Sequence, residues 1–214
     1  MTLLLDHIFI ITKPRAGEAT RLSELGLVEG NANVHPGQGT SNRRFFLNGF
    51  TVELLYVSDE EEAEKGAGKG LGILARSHDV EACPFGIVVR VPDAETVPDF
   101  PSWQYYPDYF GATMCFYVGN NAAQTMEPLC ICMPPSLPKK VGVPIEYANP
   151  DWELTAMVID VPTENPSQVL MEFAAMEGLH IEFGKPHKMT LQFNSGAAGR
   201  TVNLRPDLPL VLEW

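Results

Sequence analysis

The side chains best suited to chemistry lie near the start of the 214-residue chain. RRFFL and FTVELLYV flank Asn48-Gly49, and an Asn-Gly pair between two strand-like runs predicts a tight hairpin. A two-residue turn sets Leu47 opposite Phe50, so Arg44 faces Glu53 on one side of the sheet, together with Phe46 and Leu55. If the strand LLLDHIFIIT pairs with the second hairpin strand, His7 reaches the same side, because alternate residues share a face.

An imidazole and a carboxylate on adjacent strands suit a divalent metal such as Zn, Fe, Mn or Ni, which would polarise a bound oxygen. The competing arrangement is a bidentate ion pair between Glu53 and Arg44, with His7 hydrogen-bonded inside the sheet. Without a metal, Glu53 is a candidate general base as long as Arg44 does not pin it.

Other groups carry weaker signals. His35 precedes a Pro-Gly-Gln-Gly turn whose backbone amides can cradle an anion, and an ordinary surface turn is the alternative. Trp103 and Tyr105, with Tyr106, sit in the proline-rich loop FPSWQYYPDYF, which is either a lid that stacks on a ligand or a cover for the sheet. His180, Glu182 and His187 offer a second metal cluster, although lone histidines are more often structural. The segment DEEEAEKGAGKGLG is glycine-rich but satisfies neither nucleotide-binding pattern, so no nucleotide cofactor is expected. Acyl-transfer and zinc-peptidase signatures are absent. The four cysteines lack redox or zinc spacing and read as reduced core thiols.

Several elements must position these groups. After the first apolar strand, Ala19, Leu22 and Leu25 recur at helical spacing and Gly26 stands where a helix stops. A turn-rich stretch and the hairpin follow, giving a β-α-β-β-β unit over residues 1–57. From Glu153 the same order recurs: ELTAMVIDV, a helix from Asn165 to Glu177 ended by Gly178, then LHIEF, HKMTLQF and RTVNLRP. LDHIFI aligns with LTAMVI, Gly26-Leu27 with Gly178-Leu179, and TVELL with TVNLR, so residues 154–205 read as a second copy. Between them FGIVVRV, ATMCFYV and PLCICM are further strands. The expected architecture is α+β: paired β-α-β-β-β modules forming a cup-shaped mixed sheet with a strand-rich middle insertion. It divides as 1–58, 59–152 and 153–214 within one compact unit.

Hydrophobic residues make up 45% of the chain, enough for a sizeable core, and the formal net charge of -12 disfavours nucleic acid and acidic membranes as partners. No apolar run approaches the roughly 18 residues of a membrane helix, and MTLLLDHIFIIT reads as a buried strand rather than a secretory signal. A cytoplasmic protein is expected.

The DHIFI strand, the glutamate in the fourth strand and the duplicated strand order resemble the vicinal oxygen chelate superfamily. HPGQGTSNRRFF, VELLYVSD, CPFGIVVR and LRPDLPLVLEW resemble its glyoxalase-like-domain branch across nearly the whole chain. The resemblance implies paired modules forming a cup, with metal ligands on the first and fourth strands of each. His7 and Glu53 match those positions in the first module, while Ala156 and Asn203 stand there in the second. Water, substrate oxygens or the other subunit of a homodimer would have to complete a metal's ligand set. His35, Asn42, Arg44, Phe46, Trp103 and Tyr105 are the expected substrate-side residues. The implied activity is glyoxalase-like handling of a small organic molecule, by lyase, isomerase or dioxygenase-type chemistry. The alternative is a binding protein that sequesters such a molecule without changing it.

Overall fold

A computed structural model describes residues 3–93, 96–111, 113–134 and 152–214. The last part of the expected middle segment, 135–151, lies outside the described residues. The strands β1 (Leu4–Ile11), β2 (Asn33–His35), β3 (Thr40–Leu47) and β4 (Phe50–Val57) follow the expected order, with helix α1 (Ala19–Glu24) after β1. Gly26 ends that helix at φ 90°, a left-handed conformation that a side chain would oppose. The hairpin register is the one predicted, Leu47 against Phe50 and Arg44 against Glu53.

The chain continues through helices α2 (Glu60–Lys65) and α3 (Ile73–His78) to β5 (Phe85–Arg90), β6 (Ser102–Tyr105), β7 (Phe116–Gly119) and β8 (Leu129–Cys132). All eight strands form one mixed, strongly curled sheet in the order β2-β3-β4-β1-β5-β8-β7-β6. Its two halves mirror each other. β1 runs parallel to β4 and β5 parallel to β8, and β1 meets β5 antiparallel at the centre. The α+β class and the curled mixed sheet are as expected.

The stretch that supplies the second half differs from the expectation. Residues 85–132, read as a middle insertion, complete the sheet. Residues 154–214 instead build β9 (Leu154–Val161), helix α4 (Gln168–Ala174), β10 (Leu179–Phe183), β11 (Lys188–Phe193), β12 (Thr201–Asn203) and β13 (Leu210–Glu213). These strands form a separate sheet in the order β10-β9-β11-β13-β12. The element order of the first unit does recur there, but β9 pairs with β10 and β11 and never with β12. Ala156 and Asn203 are therefore three strands apart and share no site.

Strand alternation sorts the large sheet into two faces. Ile8, Ile10, Val52, Leu54, Ile87 and Val89 point to the outer face and join one core with α1, α4 and the second sheet. Among the described residues between β5 and β8 there is no α-helix, and α4 covers this half of the large sheet: Phe173 packs edge-on against Phe100 at 5.2 Å. Buried Glu127 accepts hydrogen bonds from Ser167 N at 2.7 Å and Ser167 Oγ at 2.6 Å, fastening the start of α4 to the segment just before β8.

Candidate functional site on the inner face

Phe9, Ile11, Leu55, Val57, Val88 and Ile131 point to the opposite, inner face. Across a flat sheet, β2 and β6 would stand roughly 34 Å apart, seven steps of about 4.8 Å. Yet Gln38, in the turn after β2, accepts a hydrogen bond from the Tyr105 hydroxyl of β6 at 3.3 Å. The sheet therefore curls toward the inner face, and side chains from distant strands converge there.

His7, Glu53, His35, Asn42, Arg44 and Phe46 all belong to this face by register. Glu53 does not pair with Arg44. Its Oε2 accepts from Asn42 Nδ2 at 2.8 Å, and Asn42 is itself held by Asn33 N, which donates to Oδ1 at 2.7 Å. Arg44 donates through Nε to the Asn31 carbonyl at 2.6 Å, and its guanidinium lies 5.1 Å from the centre of the Phe46 ring. The alternative in which a salt bridge consumes both charges is therefore not the arrangement found.

His7 is oriented by its sequence neighbour. A bulge between Leu5 and His7 against β5 leaves Asp6 without a register partner and turns its carboxylate to the inner face. Asp6 accepts from His7 Nδ1 at 2.7 Å and forms an ion pair with Arg90 of β5. Burial opposes a charge on His7, but the Glu53 carboxylate and the Asp6 hydrogen bond outweigh it and raise the imidazole pKa. Burial also opposes the charge on Asp6, but His7 and Arg90 hold its carboxyl below the ordinary range.

His35 behaves oppositely. Burial, helped by the nearby positive charges of Arg44 and His7, lowers its pKa despite the pull of Glu53. Its Nδ1 lies 3.0 Å from Thr40 Oγ1, which also accepts from Gln38 Nε2 at 2.7 Å. The expected anion cradle at the His35 turn is already engaged by the protein, because Gly37 N donates to the Glu62 carboxylate of α2 at 2.7 Å.

Trp103 and Tyr105 reach the inner face from the far edge and pack against it. Tyr105 is 3% exposed, burial pushes its hydroxyl up to about 12, and it fastens the aromatic loop to Gln38. The Trp103 ring packs so closely on Gly70 that a side chain there would meet it at 3.0 Å. Tyr109 also comes close to the polar groups, 5.4 Å from His35, and burial raises its hydroxyl pKa, with Tyr105 and the Glu53 charge adding to the effect. Asp6, Arg90, Gln38 and Tyr109 were not singled out from the sequence. Asp6 beside His7 was the one visible hint.

The alternative cluster of His180, Glu182 and His187 does not assemble. Glu182 pairs with Lys185, and His187 Nε2 lies 3.2 Å from the Glu81 carbonyl. Among the described residues no three His, Cys, Asp or Glu side chains gather in a way that would hold a metal. On the mirrored strands β5 and β8 the inner face carries Gly86, Val88, Leu129 and Ile131, none of them a ligand. Two shallow cavities, of about 480 and 290 Å³, lie on the seam between the sheets around Leu5 and Glu177 and include none of the candidate side chains. The candidate side chains therefore sit on the inner face, apart from both cavities.

The curled sheet of paired halves fits coarsely the glyoxalase-like fold that the sequence resemblance implied. No protein-family model matches the chain, and no curated protein matches it by sequence. Among solved structures, a hypothetical protein from Staphylococcus aureus is similar over 100% of this chain and 99% of its own, with a TM-score of 0.62 at 16% identity. A methylmalonyl-CoA epimerase from Mycobacterium tuberculosis overlaps 62% of this chain and 88% of its own, with a TM-score of 0.41 at 14% identity. The first match shows a shared fold. Among the described residues no helix is long and apolar enough to cross a membrane.

Proposed function

We propose that the inner face binds a small organic molecule with a carbonyl or similar oxygen, in a glyoxalase-like manner, and that Glu53 and His7 move a proton on it. The observation that carries this is the state of the two side chains. Asn42 holds one oxygen of Glu53 and Asp6 holds Nδ1 of His7, while Glu53 Oε1 and His7 Nε2 have no partner among the described residues. Neither of those two atoms is among the buried unsatisfied ones, so both remain accessible.

A divalent metal fits this donor set poorly. His7 and Glu53 are two ligands where zinc-type sites take three or four from the protein, and a raised imidazole pKa sets a proton in competition with the ion. The two side chains therefore supply the chemistry themselves. Glu53 Oε1 takes a proton from carbon beside the carbonyl, and the His7 imidazolium donates a hydrogen bond to the oxygen as negative charge develops on it. Asp6 aims the imidazole, and Glu53 and Asp6 together favour its protonated form.

Incubation with simple ketones and 2-oxo acids in deuterium oxide, followed by proton NMR, tests this. The wild type is expected to catalyse deuterium exchange beside the carbonyl, and Glu53→Gln to slow it by about 100-fold or more. Equal exchange by the two proteins would sink the assignment of Glu53. Binding without exchange would favour the sequestration reading, which the apolar character of Gly86, Val88, Leu129 and Ile131 supports. Metal analysis belongs beside it: a stoichiometric ion lost in His7→Ala would replace the side-chain mechanism.

A further inference from the structure

His7 and Glu53 occupy one end of the inner face, and a third polar group stands there that the proton transfer leaves unused. At the other end Ile11, Leu55 and Val57 are buried in one cluster with Ala63, Leu71 and Ile73, which fills that part of the curl. His7, Arg44, Phe46, Thr51 and Glu53 are only half-buried, so the open part of the face is theirs. Strand pairing sets Thr51 beside His7 across the parallel β1–β4 pair and opposite Phe46 across β3–β4, while His7 meets Val88 of β5 on its other side. Partners in register share a face and stand about 4.8 Å apart from strand to strand. One row therefore reads Phe46, Thr51, His7, Val88: two hydrogen-bonding side chains between two apolar ones. Glu53 stands two residues further along β4 on the same face.

The Thr51 hydroxyl makes no hydrogen bond among the described residues, and it is not one of the buried unsatisfied groups. Nor does its neighbour in the row cover it. Gly30 N donates to the Arg44 carbonyl at 2.8 Å, which places Gly30 on the side of β3 away from β4. The Phe46 ring lies so close to Gly30 that no side chain fits there, so the ring is drawn toward that edge and away from Thr51. The Arg44 guanidinium, 5.1 Å from the centre of the same ring, follows it. A carbonyl oxygen has two lone pairs and gains negative charge as a proton leaves the neighbouring carbon, and a single donor satisfies only one of them.

We infer that Thr51 is a substrate-binding residue whose hydroxyl donates, beside His7, the second hydrogen bond to the substrate's carbonyl oxygen. The inference rests on the proposed proton transfer and adds the group that holds the oxygen from the other side. The oxygen sits between Phe46 and Val88 in the row, with the acidic carbon toward Glu53. As Glu53 Oε1 takes the proton, the C–H electron pair becomes the carbon–carbon double bond of the enolate. The carbonyl π pair moves onto the oxygen, where Thr51 and His7 both donate to it, and return of a deuteron to carbon completes the exchange.

Thr51→Val removes the hydroxyl at nearly constant shape, Thr51→Ser keeps it, and thermal melts confirm that both variants are folded. In the deuterium exchange assay Thr51→Val is expected to slow the reaction by about 100-fold, and Thr51→Ser to keep most of the rate. The loss should fall on kcat more than on KM, because the bond strengthens as charge develops on the oxygen. A binding measurement that needs no turnover runs beside it. The probe is 4-nitrophenolate, an oxyanion whose visible band reports its surroundings, titrated into Glu53→Gln so that the base's charge does not repel it. Adding Thr51→Val to that background should weaken the probe about tenfold, and adding Thr51→Ser should not. Wild-type exchange that Thr51→Val leaves unchanged, or Thr51→Ser as slow as Thr51→Val, overturns the inference and leaves the role of Glu53 standing. If the wild type catalyses no exchange, the proton-transfer reading fails and the probe decides this one. Binding that depends on the hydroxyl then upholds Thr51, whereas equal binding with Thr51→Val, or none at all, overturns it.

Discussion

The two histidines of the inner face are pushed in opposite directions by what surrounds them. His7 has Asp6 and Glu53 as negative neighbours and is raised above the ordinary 6.5, whereas buried His35, near Arg44 and His7, is lowered below it. Groups whose values separate in this way are suited to different proton roles. The sign of each contribution to stability follows. The His7 contribution is fully present below 6.5 and is lost as pH rises through its raised folded value. The His35 contribution is present above 6.5 and is lost as pH falls through its lowered one. Imidazole NMR titration should therefore give midpoints on either side of 6.5, and Glu53→Gln should move both downward, since the Glu53 charge raises each. A His7 midpoint unchanged in that variant would remove Glu53 as its electrostatic partner. His7, Glu53 and Arg44 were legible as one-face neighbours because alternation and a two-residue turn fix parity without tertiary knowledge. Asp6 and Arg90 were not, because a bulge breaks parity and the ion pair joins strands far apart in sequence.

At the scale of elements, the centre of the large sheet is the β1–β5 seam, and glycine is required there. A side chain at Gly86 would place its first carbon 1.9 Å from the Phe9 ring, which crosses the seam on the inner face. Gly86→Ala is expected to cost about 1–3 kcal/mol by overpacking, read from urea unfolding. Gly86→Ala combined with Phe9→Leu should recover part of that loss, and strict additivity of the two would show that the residues do not touch. The Asn48-Gly49 hairpin was read in its true register because its turn chemistry is local. The second half of the sheet was misplaced for the opposite reason. Its strands β6, β7 and β8 are short, no α-helix lies among the described residues between β5 and β8, and the helix that covers it is α4. A search for a repeated element order instead finds residues 154–205, where order recurs but strand pairing does not. Pairing is decided by which faces must be buried together, and a one-dimensional pattern does not record that.

The borrowed helix has a consequence for the whole molecule. Phe173, Leu170 and Val169 of α4 lie in the same core as Ile8, Ile87 and Met157, so one body of buried side chains spans both sheets. Each fully buried side chain of this kind contributes about 1.5–3 kcal/mol relative to exposure, and neither sheet retains that contribution alone. Glu127 sits at the joint, 1% exposed, bonded to Ser167 and to Asn121 Nδ2 at 3.0 Å. Tryptophan positions allow the two sides to be watched separately. Trp103 lies on β6, while Trp152 and Trp214 lie 4.7 Å apart beside the second sheet. In urea, Trp103→Phe reports the second sheet and the double variant Trp152→Phe, Trp214→Phe reports the large one. The two signals are expected to share one midpoint. Glu127→Ala removes the acceptor of Ser167 N and Oγ, while Asn121 Nδ2 keeps the Pro128 carbonyl, so it should cost about 1–3 kcal/mol and lower both midpoints together. If the second sheet melts first and the large sheet keeps its midpoint, the outer core does not couple them, and the curled sheet holds the inner face without help from α4.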